Sequence, residues 1–128
     1  MPQPSAIVHE WWDRGEHDLL AARASLQAGG PSDSILALLQ QAAEKYLKGC
    51  LLAKGWRLKR THDLEELLEE LVQYDASFQQ FTNLADLLTG QYVRHRYPPG
   101  PPILHSPEET ADVLRQAEEP IDKIKQSV

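Results

Sequence analysis

Gln40-Gln41-Ala42-Ala43-Glu44-Lys45-Tyr46-Leu47-Lys48 is the stretch that decides the fold of this chain. On an ideal helix Gln41, Glu44, Lys45 and Lys48 fall within an arc of roughly 100°. Ile35, Leu38, Leu39, Ala42, Ala43, Tyr46, Leu47, Cys50 and Leu51 fill most of the remaining circumference. So wide an apolar face predicts a helix with neighbours on several sides. The polar arc predicts one line of amide, carboxylate and ammonium groups facing either water or a cleft.

Upstream, Ile7, Val8, Trp11, Trp12, Gly15, Leu19, Ala22 and Leu26 recur at spacings of three and four. They predict a first helix from about Ile7 to Ala28, ended by Gly29-Gly30-Pro31. Ser32 or Asp33 is expected to cap the central helix, which runs to about Lys54 before Gly55 supplies a left-handed stop. Thr61 or Asp63 opens a short acidic helix to about Tyr74, with Leu64, Leu67, Leu68 and Leu71 turned inward. A fourth helix from about Ser77 carries Phe81, Leu84, Ala85, Leu88 and Tyr92 on one face, and ends by Tyr97 because Pro98 disfavours a helical residue before it. Ser106-Pro107-Glu108-Glu109 has a capping serine, proline at the first helical position and glutamate three residues after the cap. The fifth helix it starts turns Thr110, Leu114, Ala117, Ile121 and Ile124 inward, with Pro120 removing one backbone bond and open to kinking it. No segment combines two-residue alternation with β-branched enrichment. The expectation is an all-α, up-and-down bundle of four to five helices, a single domain over residues 1–128 with its core at about 7–125. The width of the second helix's apolar face and the adjacent Trp11 and Trp12 further suggest a homodimer.

Thirteen Lys and Arg against nineteen Asp and Glu give a net charge of -6, which disfavours indiscriminate binding to nucleic acid or anionic membranes. Any nucleic-acid function then rests on a local patch. Two basic runs qualify: Lys54, Arg57, Lys59, Arg60 and His62, and then Arg94, His95 and Arg96. Brought together, they would form one anion-binding surface for phosphate. On the central helix, Gln41 can read a base or ribose and Lys48 a phosphate, with Glu44 between them; the same residues also suit an ion-paired strip inside a bundle or dimer seam. His95 shares a stripe with Phe81, Leu88 and Tyr92, so a neutral imidazole beside Arg94 and Arg96 can act as a base towards a ribose hydroxyl. The single cysteine, Cys50, excludes a disulfide framework and is expected to be a buried, inert thiol. No long uncharged run or export signal is visible, so a cytoplasmic location without a membrane span is expected. His9, Asp13 and His17 follow at i, i+4 and i+8 without a fourth ligand, so neither a metal nor a cofactor is expected.

Gln40-Gln41-Ala-Ala-Glu44-Lys45-x-Leu47-Lys48, then Gly55, Thr61-His62-Asp63-Leu64 and Arg96-Tyr97-Pro98 occur in an order that resembles the HEPN domain, the "higher eukaryote and prokaryote nucleotide-binding" module. Trp12 and Asp18-Leu19-x-x-Ala22 resemble its first helix. The resemblance implies a helical bundle that pairs as a homodimer and works beside a small nucleotidyltransferase in a toxin-antitoxin-like system. It also makes Tyr97 a candidate AMP acceptor. In the RNA-cleaving branch, Arg and His near the end of the fourth helix are separated by about four to six residues, one to two turns of helix. Here Arg94 and His95 are adjacent, whereas Arg57 and His62 have the spacing but precede the third helix. The expected function is therefore nucleotide or RNA binding through Gln41, Glu44, Lys48, Arg57, Arg60, His62, Arg94, Arg96 and Tyr97. The alternatives are a metal-independent endoribonuclease using His95, Arg96, Arg94 or His62, and a non-catalytic assembly scaffold.

Overall fold

A computed structural model describes residues 6–57, 60–96 and 104–127, with residues 91–96 described as backbone alone. The chain forms α1 (Ala6–Gln27), α2 (Ser32–Ala53), α3 (Leu64–Tyr74), a short 3-10 helix (Ala76–Phe81), α4 (Thr82–Arg96) and α5 (Pro107–Ser127). No strand occurs among the described residues. The all-α bundle expected from the spacing is what forms.

Helix α2 is the axis, packed against α1, α3, α4 and α5. Ile35, Leu39, Ala42, Tyr46, Cys50 and Leu51 are all buried, with Leu19 and Ala22 of α1, the four leucines of α3 and Ile121 and Ile124 of α5 closing over them. Two glycines let α1 and α2 approach closely. A Cβ on Gly15 would lie 2.9 Å from the Tyr46 ring, and one on Gly49 would lie 2.7 Å from the Trp12 indole. Trp12 is thus accommodated within the monomer, and Trp11 lies half-buried beside it. Within the chain Trp12 packs on the Tyr46 ring and Trp11 on the Lys48 ammonium, and each keeps part of its surface exposed. Ile7, expected on the inner face, is half exposed instead.

Both long helices stop as their glycines dictate. Gly29 and Gly55 have φ of +75° and +91°, where a side chain would be strained. Around each, the chain turns back on the helix: Gly30 N–H donates to the Ser25 carbonyl at 2.8 Å, and Trp56 N–H to the Leu51 carbonyl at 3.0 Å. This is the Schellman arrangement. It also buries Trp56, which pins the start of the segment leading to α3.

Two local expectations change. Ser32 does not cap α2. Its hydroxyl accepts the backbone N–H of His105 at 2.8 Å, tying the start of α2 to the segment before α5. The predicted start of the fourth helix near Ser77 lies in a 3-10 helix, whose N-cap Asp75 accepts from both the N–H and the hydroxyl of Ser77. The capping box before α5 forms as read: Glu109 N–H donates to Ser106 Oγ at 3.1 Å, and Ser106 N–H to the Glu109 carboxylate at 3.0 Å. Helix α5 continues through buried Pro120 to Ser127.

Candidate functional site

The polar arc of α2 divides into two. Gln41 and Lys45 remain partly exposed, and Lys45 pairs with Asp18 of α1. Gln40, Glu44 and Lys48, spaced i, i+4 and i+8, turn inward and are only 0%, 6% and 5% exposed. Of the surroundings expected for the polar line, Glu44 and Lys48 take the ion-paired strip inside the bundle, and Gln41 and Lys45 stay in contact with water. The loop before α3 covers half of it, because α2 binds that loop through side chains.

Glu44 is the hub. One carboxylate oxygen accepts from Lys48 Nζ at 3.0 Å; the other accepts from His62 Nδ1 at 3.0 Å and from Gln40 Nε2 at 3.3 Å. The same Gln40 amide nitrogen donates to the His62 carbonyl at 3.0 Å. His62 is thus held by its backbone and by its ring, from adjacent turns of α2. A carboxylate accepts only, so the proton on this contact belongs to Nδ1. Lys48 lies 5.5 Å from the Trp11 ring centroid, where a desolvated ammonium gains a cation–π contact. Glu44 is therefore a buried charge compensated by a cation and two further donors, the condition under which burial of an ion is tolerated.

Described residues on either side of His62 are anchored. Trp56 is buried on one side, and on the other Asp63 caps α3, its Oδ1 accepting from Glu65 N–H at 3.0 Å and Glu66 N–H at 3.4 Å. Thr61 Oγ1 accepts from Asp63 N–H and donates to Glu66. Between these anchors Arg57 and Arg60 are exposed, as is His62, whose side chain is 69% accessible. Lys59, Tyr97 and the side chains of Arg94, His95 and Arg96 lie outside the described residues, so the second basic run is not placed against the first.

Of the nine binding residues read from the sequence, Glu44, Lys48 and His62 meet in one hub, Arg57 and Arg60 flank it in sequence, and Gln41 stays apart on the surface. Gln40 was missed as a site residue. Its signal was the four-residue ladder with Glu44 and Lys48.

Elsewhere, burial first and the hydrogen bond to Glu16 second push the Tyr46 phenol well above its usual range, leaving a neutral hydroxyl that donates to Glu16 at 2.8 Å. Burial likewise raises the Cys50 thiol, in keeping with an inert side chain. His9, Asp13 and His17 are exposed on α1, and among the described residues no three such side chains cluster as a metal site. No helix among them is long and apolar enough to cross a membrane.

The family model for the HEPN domain matches residues 8–127, spanning every helix above. This chain belongs to the HEPN domain family. Two solved structures show the same architecture. One is TT1696 from Thermus thermophilus, at 24% identity and a TM-score of 0.80, covering 97% of this chain and 100% of that one. The other is ST0689, an archaeal HEPN homologue, at 26% identity and a TM-score of 0.74, covering 96% and 98% respectively. No curated protein matches the chain. Within this HEPN domain, Gln40, Glu44, Lys48 and His62 form one buried-to-exposed polar network.

Proposed function

We propose that this HEPN domain is a nucleotide- or RNA-binding module that acts as a homodimer beside a small nucleotidyltransferase. One observation carries the binding part: in a chain of net charge -6, Arg57, Arg60 and His62 sit exposed on one segment bolted to a buried carboxylate. Guanidinium groups suit phosphate oxygens, and His62 is held by Gln40 and Glu44 before any ligand arrives, so less of its freedom is lost on binding. Glu44 and Lys48 serve this site from beneath, holding His62 rather than touching the ligand.

The test is fluorescence polarisation with a labelled single-stranded oligoribonucleotide, with AMP and ATP as competitors. Saturable binding should weaken about tenfold in Arg57→Ala/Arg60→Ala, roughly 1.4 kcal/mol, with a shallower salt dependence. No saturable binding, or binding indifferent to both arginines, would overturn the proposal. For the dimer, light scattering should give twice the 14.5 kDa chain mass; a monomer removes that part. Co-purification of a nucleotidyltransferase from the native cells tests the partner.

One contact supports a second reading as an RNA-cleaving enzyme: the 3.0 Å pair of Glu44 and His62, which has the form of an oriented base. Cleavage of RNA by the wild-type chain, lost in His62→Ala, is its signature.

A further inference from the structure

Ile7, Trp11 and Leu52, with Glu10 and Arg14, line a groove of about 290 Å³ along the outside of the α1–α2 pair. Ile7 is 50% exposed, and Trp11 and Leu52 are half-buried. Resting on the dimer part of the reading above, we infer that a second copy of the chain docks in this groove, with α1 packed antiparallel against α1 about a twofold axis.

The face has the build of an interface. On α1, Ile7, Glu10, Trp11, Arg14 and Asp18 share an arc of about 100°. Trp11 is set firmly within it. Its Cβ lies 3.3 Å from where a methyl group on Gly49 would sit, and its ring centroid is 5.5 Å from the buried Lys48 ammonium. Tryptophan and arginine are the residue types that carry much of the binding energy between proteins. A ring already held in place loses little freedom on docking. Further along the same face, the Asp18–Lys45 pair and Gln41 are partly exposed and supply a polar rim.

The charges select the occupant. Glu10 and Arg14 stand one turn apart with opposite sign, paired at 3.2 Å, and their side chains are 57% and 65% exposed. A twofold interface sets residue i against j and residue j against i. With the axis beside the middle of the Glu10–Arg14 turn, each Glu10 meets Arg14 of the second copy, and the two Trp11 side chains meet at the axis. An exposed pair within one chain, worth little in water, is exchanged for two pairs across a seam that excludes water. The groove between α3 and the 3-10 helix offers no such match. Its lining carries Glu65 and Glu69 without a cation, so a copy of itself is repelled.

Sedimentation equilibrium of the full chain reads the dimer dissociation constant, and circular dichroism checks the fold of each variant. Arg14→Glu sets carboxylate against carboxylate across the axis and should raise that constant more than about tenfold. Glu10→Arg should do the same with two cations. The double variant Glu10→Arg/Arg14→Glu restores opposite signs and should recover the dimer, a recovery that a purely structural role of either residue does not produce. Ile7→Glu should also dissociate the dimer. Leu20→Glu, at a side chain 52% exposed on the opposite side of α1, should not. A wild-type dimer indifferent to Arg14→Glu and Ile7→Glu, or a double variant as dissociated as the single ones, overturns the inference and leaves the dimer reading intact. A wild-type monomer at micromolar concentration overturns the dimer reading, and this inference with it.

Discussion

Helix α2 carries two seams of opposite character. Against α1 the contact is one of shape, with Gly15 beneath the Tyr46 ring and Gly49 beneath the Trp12 indole. Against the segment before α3 it is one of hydrogen bonds, with Gln40, Glu44 and Lys48 reaching His62. The first seam has no room for an added methyl group, and its ionic contacts, Lys45 with Asp18 and Tyr46 with Glu16, are only partly buried. The second is intolerant of a missing partner, since each buried polar group depends on another. One helix thus fixes the bundle with its small residues and fixes an exposed segment with its ionic ones.

The largest expected effect breaks the polar seam. Glu44→Ala strands the Lys48 ammonium at 5% exposure, and urea unfolding should show a loss of about 3–5 kcal/mol. A loss under about 1 kcal/mol would mean that water already satisfies the hub. Next comes the shape seam. In Gly49→Ala the new methyl group lies 2.7 Å from Trp12 and 3.3 Å from Trp11 Cβ. Overpacking of about 1–3 kcal/mol should outweigh the gain of roughly 1 kcal/mol in helix propensity. A shift in tryptophan emission should accompany it, and a stabilised variant would show that the indole moves aside without cost. Smaller again, Ser106→Ala removes one half of the α5 capping box and should cost about 1 kcal/mol by the same unfolding measurement.

The smallest effect separates two carboxylates by sign. Hydrogen bonds from the Ser106 backbone N–H and then its hydroxyl hold Glu109 below the usual carboxylate range. Its contribution is present above the unfolded value and is lost as pH falls through the lower folded one. Glu65 is raised, first by its hydrogen bond with Asp86 and then by the charge of that group. Its ionisation opposes folding, and the penalty lifts as pH falls through the raised value. Amide exchange followed downward from about pH 5 should therefore show α5 loosening at its first turn while the α3–α4 contact tightens. Parallel behaviour at both places would contradict the assignment.

The helices were legible because each repeats apolar residues at three and four over several turns, and the capping box because its residues act locally. Ser32 and Ser77 were misread for different reasons. The Ser32 hydroxyl takes the N–H of His105, 73 positions away, which spacing within α2 does not reveal, whereas Ser77 donates its N–H and hydroxyl to Asp75 two residues before it, a local signal that lay in the sequence itself. At the site, the wheel placed Gln41, Glu44, Lys45 and Lys48 on one arc without saying which part the loop would cover. Covering fell on Gln40, Glu44 and Lys48 because His62 offers a carbonyl and a ring nitrogen there, a match between residues 22 and 18 positions apart. Periodicity within α2 carries no information about that match.

The tie between Ser32 and His105 has a kinetic meaning. The α1–α2 pair joins neighbours in sequence and needs only a short loop closed, whereas this bond joins residues 73 positions apart, so chain entropy sets it late in folding. Ser32→Ala should then speed unfolding while leaving the folding rate almost unchanged. The start of the central helix is thus a latch closed by the segment that leads into the last helix, and the Ser32→Ala rates measure how much that latch holds.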